Sequence, residues 1–111
     1  IVRESDGLAL SSRNRYLSTD ERERALCINR ALRDARTQLE AGEREPERIV
    51  ASVRSGLRDV EIDYVELVDA ADLTRVSEIW QEILLAIAVH IGSTRLIDNL
   101  KYDPETNTTR M

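Results

Sequence analysis

Five consecutive side chains near the start of the chain are of types that bind phosphate. Residues 11–15 read SSRNR, so two hydroxyls, an amide and two guanidinium groups follow one another directly. Hydroxyl and guanidinium groups donate hydrogen bonds to phosphate oxygens, and the planar fork of Arg13 can donate two at once. If a helix begins at Ser11, its free N–H groups and the positive end of its dipole strengthen the attraction. The stretch therefore indicates an anion site.

The same stretch also has a purely structural interpretation. Serine is a common N-cap, so Ser11 can simply start a short helical turn over residues 12–17. Arg13 and Arg15 would then be solvated surface groups. Residue types and spacing alone leave both interpretations open.

The elements that must position this stretch are two amphipathic helices followed by strands. A helix start at Ser18 or Thr19 precedes apolar residues at helical spacing, and Gly42 ends this helix. Pro46 suits the first turn of a second helix, whose apolar face continues to Leu57. Residues 62–68, 82–89 and 96–100 are rich in branched apolar residues and predict three strands.

The predicted fold class is therefore α+β. We expect a small, mostly antiparallel sheet of about three strands with helices packed on one face. The middle strand, 82–89, is apolar on both of its faces, as is typical of a central strand. The polar residues 104–111 show no pattern, so we expect a disordered tail.

Composition limits the possible classes of protein. The chain has 111 residues, enough for one domain, and a net charge of −5, which argues against nucleic-acid binding. Its single cysteine, Cys27, forms no internal disulfide and supplies no metal-ligand set, so we expect a reducing, cytoplasmic compartment. We expect no secretory signal, and the longest apolar run, from Ile83 to Val89, is too short to span a bilayer.

Four stretches in the same order resemble the pantoate–β-alanine ligase family. The most specific is RESDGLALSSRNRYL at residues 3–17, which resembles the signature at the start of that family's C-terminal domain. The supporting stretches are AGE at 41–43, DYVEL at 63–67 and GSTRLIDN at 92–99. The resemblance covers about residues 1–100.

The resemblance implies a particular place in a two-domain enzyme. Residues 1–103 would be a C-terminal lid, with 1–10 on the hinge side, and the Rossmann-like N-terminal domain would be absent from this chain. Such enzymes activate the carboxylate of pantoate with ATP, release pyrophosphate, and let the amine of β-alanine displace AMP. ATP would thus be a substrate, and Mg²⁺ would be bound mainly through the phosphates and the absent domain. No metal site is expected here.

The resemblance also implies roles for single residues. Ser11, Ser12 and Arg13 would contact the ATP phosphates, with Arg13 as the catalytic group. Backbone groups of Val2 and Leu10 would border the adenine. The fragment alone should be inactive, because the remaining contacts lie on its N-terminal partner domain. Its surface toward that domain should make the isolated chain self-associate.

Several other residues invite a functional interpretation but have simpler structural ones. The stretch HIGS at 90–93 lacks the second histidine of the family's H-x-G-H signature, so His90 is interpreted as an incidental strand-end residue. Asp69 and Asp72 are expected to cap a turn, and Asp98 with Asn99 to form a local network beside Arg95. The remaining expectations are a packing anchor at Trp80, a partly buried, inert Cys27, and a solvated helical face of i,i+4 pairs over 20–48.

Two other functions remain open at this point. The first is a stand-alone module whose two amphipathic helices bind a protein partner. The second is binding of a small anionic ligand without catalysis.

Overall fold

The first helix, α1, is the long amphipathic helix predicted from the sequence. The computed structural model describes residues 3, 8, 17–58 and 60–111, so the turn predicted over 12–17 lies almost entirely outside the described residues. Helix α1 spans Thr19–Glu40 and is N-capped by Ser18. It ends where Gly42 adopts a φ of 110°, a conformation that favours glycine.

The second helix, α2, spans Pro46–Gly56 and packs against α1. Proline occupies its first turn, where the missing N–H is no loss, and Ile49 and Val53 on its inner face are fully buried. Close approach of the two helices depends on Gly56, since an added Cβ there would lie 3.2 Å from the Cβ of Ala31. In the described part of the chain, no helix is long and apolar enough to cross a bilayer.

The strands form one antiparallel sheet of four strands in the order β1-β2-β3-β4. Their bounds are Glu61–Asp69, Ile83–Ile91, Thr94–Asp103 and Thr108–Arg110. The α+β class with an antiparallel sheet is confirmed, with four strands where about three were expected. Strands β2 and β3 form a hairpin, and Gly92 in its two-residue turn has a φ of 59°. A glycine at this position is what a type II′ turn requires.

The helices cover one face of the sheet, and the core lies between the two layers. Successive side chains of a strand point to opposite faces. Leu85 and Leu100, which pair across β2 and β3, are fully buried beneath the helices. The buried apolar residues of the strands on this face are Val65, Leu67, Ile83, Leu85, Ile87, Val89, Ile91, Leu96, Leu100 and Tyr102.

The opposite face, which we call the open face, carries the intervening residues of the same strands. On β2 these are Leu84, Ala86, Ala88 and His90, so the central strand is apolar on both faces, as predicted. Among the described residues no helix packs over the open face. Ile97 of β3 is 60% exposed there. A large apolar side chain thus stands in solvent at the centre of the sheet.

The expectation of a disordered tail at 104–111 is wrong. Thr108–Arg110 form strand β4 beside the end of β3, with Tyr102 and Thr109 in register. The buried Tyr102 hydroxyl donates to Asn107 Oδ1 at 2.6 Å and accepts from Arg44 Nη2 at 3.0 Å. Thr109 Oγ1 donates to Glu40 Oε2 at 2.7 Å. Polar side chains hold β4, and one apolar residue, Met111, packs against the core after it, so hydrophobic periodicity did not reveal the strand.

The prediction that Trp80 is a packing anchor is also wrong. The Trp80 side chain is 69% exposed, and its indole Nε1 donates to Glu78 Oε2 at 2.6 Å. The neighbouring Ile79 is fully buried in its place, and its backbone N–H donates to the carbonyl of Arg44 at 3.0 Å. The chain turns its smaller apolar side chain inward at this point.

Candidate functional site

The candidate phosphate-binding residues themselves are outside the described part of the chain. This applies to Ser11, Ser12 and Arg13, and equally to Val2 and Leu10. The described residues on either side do show where this stretch begins and ends. We call residues 9–16 the SSRNR segment and describe its two flanks in turn.

The flank after the segment is the beginning of α1, where a capping box engages the N–H groups of Ser18 and Glu21. Ser18 Oγ accepts from the backbone N–H of Glu21, and Glu21 Oε1 accepts from the backbone N–H of Ser18, both at 3.1 Å. This reciprocal capping box satisfies two of the N–H groups at the helix start. Asp20 and Glu21 also place negative charge in the first turn. These carboxylates disfavour a phosphate at the start of α1.

The turn between β2 and β3 lies directly against this capping box. A Cβ built on Gly92 would collide with the Glu21 carboxylate. A glycine is therefore required at position 92 for two reasons. It adopts a positive φ without strain, and it leaves room for the Glu21 side chain. The sequence contained both residues, but nothing in their spacing predicted that they touch.

The flank before the segment is fixed by Leu8 and Arg3. Leu8 is 3% exposed and belongs to the core. Arg3 Nη1 donates to Asp98 Oδ2 at 2.6 Å, and Arg3 Nη2 donates to Asp98 Oδ1 at 2.8 Å. This is a bidentate guanidinium–carboxylate pair, the geometry that gives such pairs both strength and direction.

Asp98 therefore does not form the expected local network with Arg95. Its partner is Arg3, which lies 95 positions away in the sequence. Residues three apart in a strand point to opposite faces, which puts Asp98 beneath the helices and Arg95 on the open face. Arg95 Nε instead donates to Asp63 Oδ2 at 2.9 Å. Asp63 reaches the open face because the register of β1 shifts between Ile62 and Tyr64. Only the hydrogen bond from the Asn99 N–H to Asp98 Oδ1, at 2.7 Å, is local.

Asp69, Asp72 and His90 have the structural roles that were expected from the sequence. Asp69 Oδ1 accepts from the backbone N–H of Ala71 at 2.8 Å, which is the expected turn contact. The hydroxyl of Thr74 donates to Asp72 and lowers the pKa of that carboxyl. His90 lies in β2, not at a helix start, with its Nε2 3.7 Å from Asp63 Oδ2. Within the described residues, no cluster of acidic, histidine and cysteine side chains could hold a metal ion.

The helical face and the partial burial of Cys27 also match their predictions. Arg36 pairs with Glu40 at 2.9 Å and Arg24 with Asp20 at 3.5 Å, both at i,i+4 spacing. Cys27 is partly buried and not part of a disulfide. These surface contacts give α1 a solvated face, as expected from its alternation of charges.

Comparison with known proteins defines the class to which this arrangement belongs. The model of the pantoate-beta-alanine ligase family matches residues 1–101. The chain is 46% identical over 109 residues to a pantothenate synthetase of Syntrophus aciditrophicus, and 49% identical over 117 residues to one of Myxococcus xanthus. These alignments cover 96% and 99% of the chain. It also resembles the crystal structure of pantothenate synthetase from Thermus thermophilus, with a TM-score of 0.81 and 35% identity over 88% of the chain.

The chain therefore belongs to the pantoate–β-alanine ligase family. It spans only 38% and 39% of the length of the two curated relatives, and 36% of the Thermus chain. The resemblance seen in the four sequence stretches is confirmed. The match corresponds to a part of the longer relatives.

Proposed function

We propose that this chain is the ATP-phosphate-contacting lid of an adenylate-forming ligase that condenses pantoate with β-alanine. The observation that carries the proposal is the family match over residues 1–101, which includes the whole SSRNR segment. The names of the relatives supply the reaction class, and a match to just over a third of their length supports a role as one part of a larger enzyme.

In the proposed reaction, a carboxylate oxygen of pantoate attacks the α-phosphorus of ATP. The bond from that phosphorus to the bridging oxygen breaks, and pyrophosphate leaves with the negative charge. The amine of β-alanine then attacks the acyl carbon, loses a proton, and displaces AMP to give pantothenate. The attacking carboxylate is already an anion, so the first step needs no general base from this chain.

The proposed role of the lid is to stabilise the charge on the departing pyrophosphate. Ser11 and Ser12 would donate hydroxyl hydrogen bonds, and Arg13 would donate two bonds with its full positive charge. Donors fixed in advance toward a developing charge lower the barrier. Backbone groups of Val2 and Leu10 would border the adenine. Mg²⁺ would be held mainly by the phosphates and by the N-terminal nucleotide-binding domain of the parent chain.

In the complete enzyme, the lid would close over ATP and keep water away from the adenylate. The carboxylates of Asp20 and Glu21 support this division of roles, because they disfavour an anion at the start of α1. We place the enzyme in the cytoplasm, where a lone, unbridged Cys27 is stable as a thiol. The isolated chain would be inactive and would self-associate.

Release of pyrophosphate by the full-length parent enzyme tests the proposal. With MgATP and pantoate we expect pantoate-dependent release, which β-alanine converts into sustained turnover. No release would reject the ligase and favour a helical interaction module. A submicromolar affinity of the isolated chain for MgATP would contradict the lid role, because most ATP contacts are proposed to lie on the other domain.

Replacing the proposed catalytic group tests the assignment residue by residue. In the parent enzyme, Arg13→Ala should remove about 2–4 kcal/mol of transition-state stabilisation, as loss of a preorganised donor does elsewhere. Arg33→Ala is the matched control, because Arg33 is an exposed arginine of α1. A loss under about threefold at saturating ATP and pantoate would contradict the role of Arg13, since a donor of this kind contributes about 100-fold or more.

A further inference from the structure

The charged side chains of the open face are separated by sign, with acidic groups at one side of the sheet and basic groups at the other. Cross-strand partners share a face, so the pairing register identifies the charges that lie there. Glu66 of β1 pairs with Ala86, and Lys101 of β3 pairs with Leu84, both of which belong to the open face. The same register gives the exposed charges of this face as Glu61, Glu66, Lys101 and Arg110.

These four side chains are available to a partner. None of them forms an ion pair or a side-chain hydrogen bond with a residue that the structure describes. The face also carries Asp63 and Arg95, but Arg95 Nε donates to Asp63 Oδ2 at 2.9 Å, so these two charges compensate each other. The remaining charges form an acidic side on β1 and a basic side on β3 and β4.

An apolar centre lies between the acidic side and the basic side. Ile97 is 60% exposed, and its cross-strand partner Ala88 lies beside it on β2. Tyr64 of β1 pairs with Ala88 from the other side, so the three side chains form one row across the sheet. An exposed apolar centre flanked by charged groups is typical of a protein interface.

A two-fold rotation about an axis along β2 matches the open face with a second copy of itself. The rotation exchanges the two sides, so β1 of one copy lies over β3 of the other. Tyr64 then faces Ile97 of the second copy, because both residues belong to the same row. Glu66 faces the position of Asn99, and Lys101 is the next residue on that face, about 7 Å along the strand. A lysine side chain can span this offset and reach the glutamate.

We propose that the open face binds a second copy of this chain, with the acidic side of each copy over the basic side of the other. Opposite charges that meet in this way set the orientation of two partners and disfavour wrong ones. A nucleic acid or an anionic membrane would be repelled by the acidic side, and a basic peptide by the basic side. A second copy satisfies both sides at once. The inference depends on this face alone and does not rest on the proposed function.

Reversing one charge at a time tests the proposal by sedimentation equilibrium of the 111-residue chain at low ionic strength. The unmodified chain should dimerise, and Glu66→Lys and Lys101→Glu should each raise the dissociation constant at least about tenfold, because each places like charges opposite one another. The matched control is Asp34→Lys, which changes the net charge as much as Glu66→Lys does but lies on the exposed side of α1. A monomeric unmodified chain, or an equal loss with Asp34→Lys, would overturn the inference.

An equimolar mixture of the two reversed variants tests the orientation of the dimer. In the mixed dimer, Lys at position 66 faces Glu at position 101, and the native Glu66 and Lys101 face each other. We therefore expect the mixture to associate within about threefold of the unmodified chain, although neither variant does so alone. A mixture that associated no better than its components would overturn the inference.

Circular dichroism identifies a variant that has lost its fold. In that case the double variant with Glu66→Lys and Lys101→Glu in one chain is measured instead, since it restores both contacts with their signs exchanged. A dissociation constant within about threefold of the unmodified value supports the proposed pairing, and a rise of about tenfold or more would overturn it.

Discussion

At the scale of single residues, Gly92 connects the β2–β3 turn to the start of α1. Its φ of 59° is costly for a residue with a Cβ, by about 1–2 kcal/mol. The Glu21 carboxylate occupies the space that a Cβ would need. We therefore expect Gly92→Ala to lower the free energy of unfolding by about 1–2 kcal/mol, measured by urea denaturation.

The Glu21→Ala background separates the two causes of this loss. Removing the Glu21 side chain eliminates the collision but leaves the backbone conformation unchanged. Most of the loss from Gly92→Ala should therefore persist in that background. If the loss disappeared there, the collision and not the positive φ would be the dominant cause.

Little of this residue-level detail could be predicted from the sequence. The glycine at the hairpin turn was recognisable, because two apolar strands flank it. Its contact with Glu21 was not, because 71 positions separate Gly92 from Glu21, and spacing contains no information across such a distance. The same holds for Arg3 and Asp98, whose separation is 95 positions. Asp98 was recognised as a network residue, but with the wrong partner.

At the scale of elements, the end of α1 is tied to the end of the sheet by polar contacts. Arg44 Nη1 donates to the carbonyl of Leu39 at 2.9 Å, and Arg44 Nη2 donates to the Tyr102 hydroxyl. The guanidinium also lies 5.3 Å from the centre of the Tyr102 ring. One cation thus satisfies a carbonyl at the helix end and holds β3 beside it.

Removing the Tyr102 hydroxyl should loosen this junction. Tyr102→Phe leaves Asn107 and Arg44 without one hydrogen-bond partner each, so we expect a loss of about 1–2 kcal/mol in the free energy of unfolding. Tyr64→Phe is the matched control, because its ring lies on the open face and its hydroxyl bonds no described residue; its effect should be near zero. Equal stability of Tyr102→Phe and the unmodified chain in urea would contradict this role.

The contact between β4 and α1 should make stability depend on pH. The Thr109 hydroxyl, with Arg36, holds the pKa of Glu40 below its usual range. A carboxyl whose pKa is lowered by folding stabilises the fold above the ordinary glutamate pKa, about 4.3, and loses that contribution as the pH falls through the lowered value. Thr109→Val should therefore destabilise the chain at pH 7 and progressively less in acid.

Urea unfolding at neutral and acidic pH measures this difference. Thr108→Val is the control, since the Thr108 hydroxyl donates to the backbone carbonyl of Thr106 and not to a carboxylate. A destabilisation by Thr109→Val that stayed constant with pH would show that Glu40 is not involved.

The helices were the most predictable elements and β4 the least. Apolar residues repeat with helical spacing along α1 and α2, and Ser18, Gly42 and Pro46 mark their ends. The residues of β4 are held by hydroxyls and an amide instead of an apolar face. Their sequence, TTR between Asn107 and Met111, therefore contained no periodic signal.

At the scale of the whole molecule, the open face offers a surface for the expected self-association. Leu84, Ala86 and Ile97 present apolar surface at the middle of the sheet, while β1 contributes Glu66 and β3 contributes Lys101 at its sides. Two copies related by a two-fold axis along β2 would place the acidic side of one sheet over the basic side of the other. We therefore expect two copies to pair through this face.

Ile97→Lys tests this expectation in the isolated chain. Sedimentation equilibrium should show a dimer whose dissociation constant rises at least about tenfold in the variant, since burial of an isoleucine side chain contributes about 1.5–3 kcal/mol. Leu73→Lys is the matched control, because Leu73 is 63% exposed on the loop between β1 and β2. A monomer at high concentration would contradict self-association, and equal effects of both variants would place the contact elsewhere.

The bond between Arg3 and Asp98 also sets an order of events in folding. Closing a loop of that length costs about 4 kcal/mol of chain entropy, which local helix formation does not incur. On the ribosome, Arg3 emerges long before Asp98 has been synthesised. Helices α1 and α2 can form while Arg3 still lacks its partner. Arg3 therefore reaches its final place late, once β3 is available to hold it.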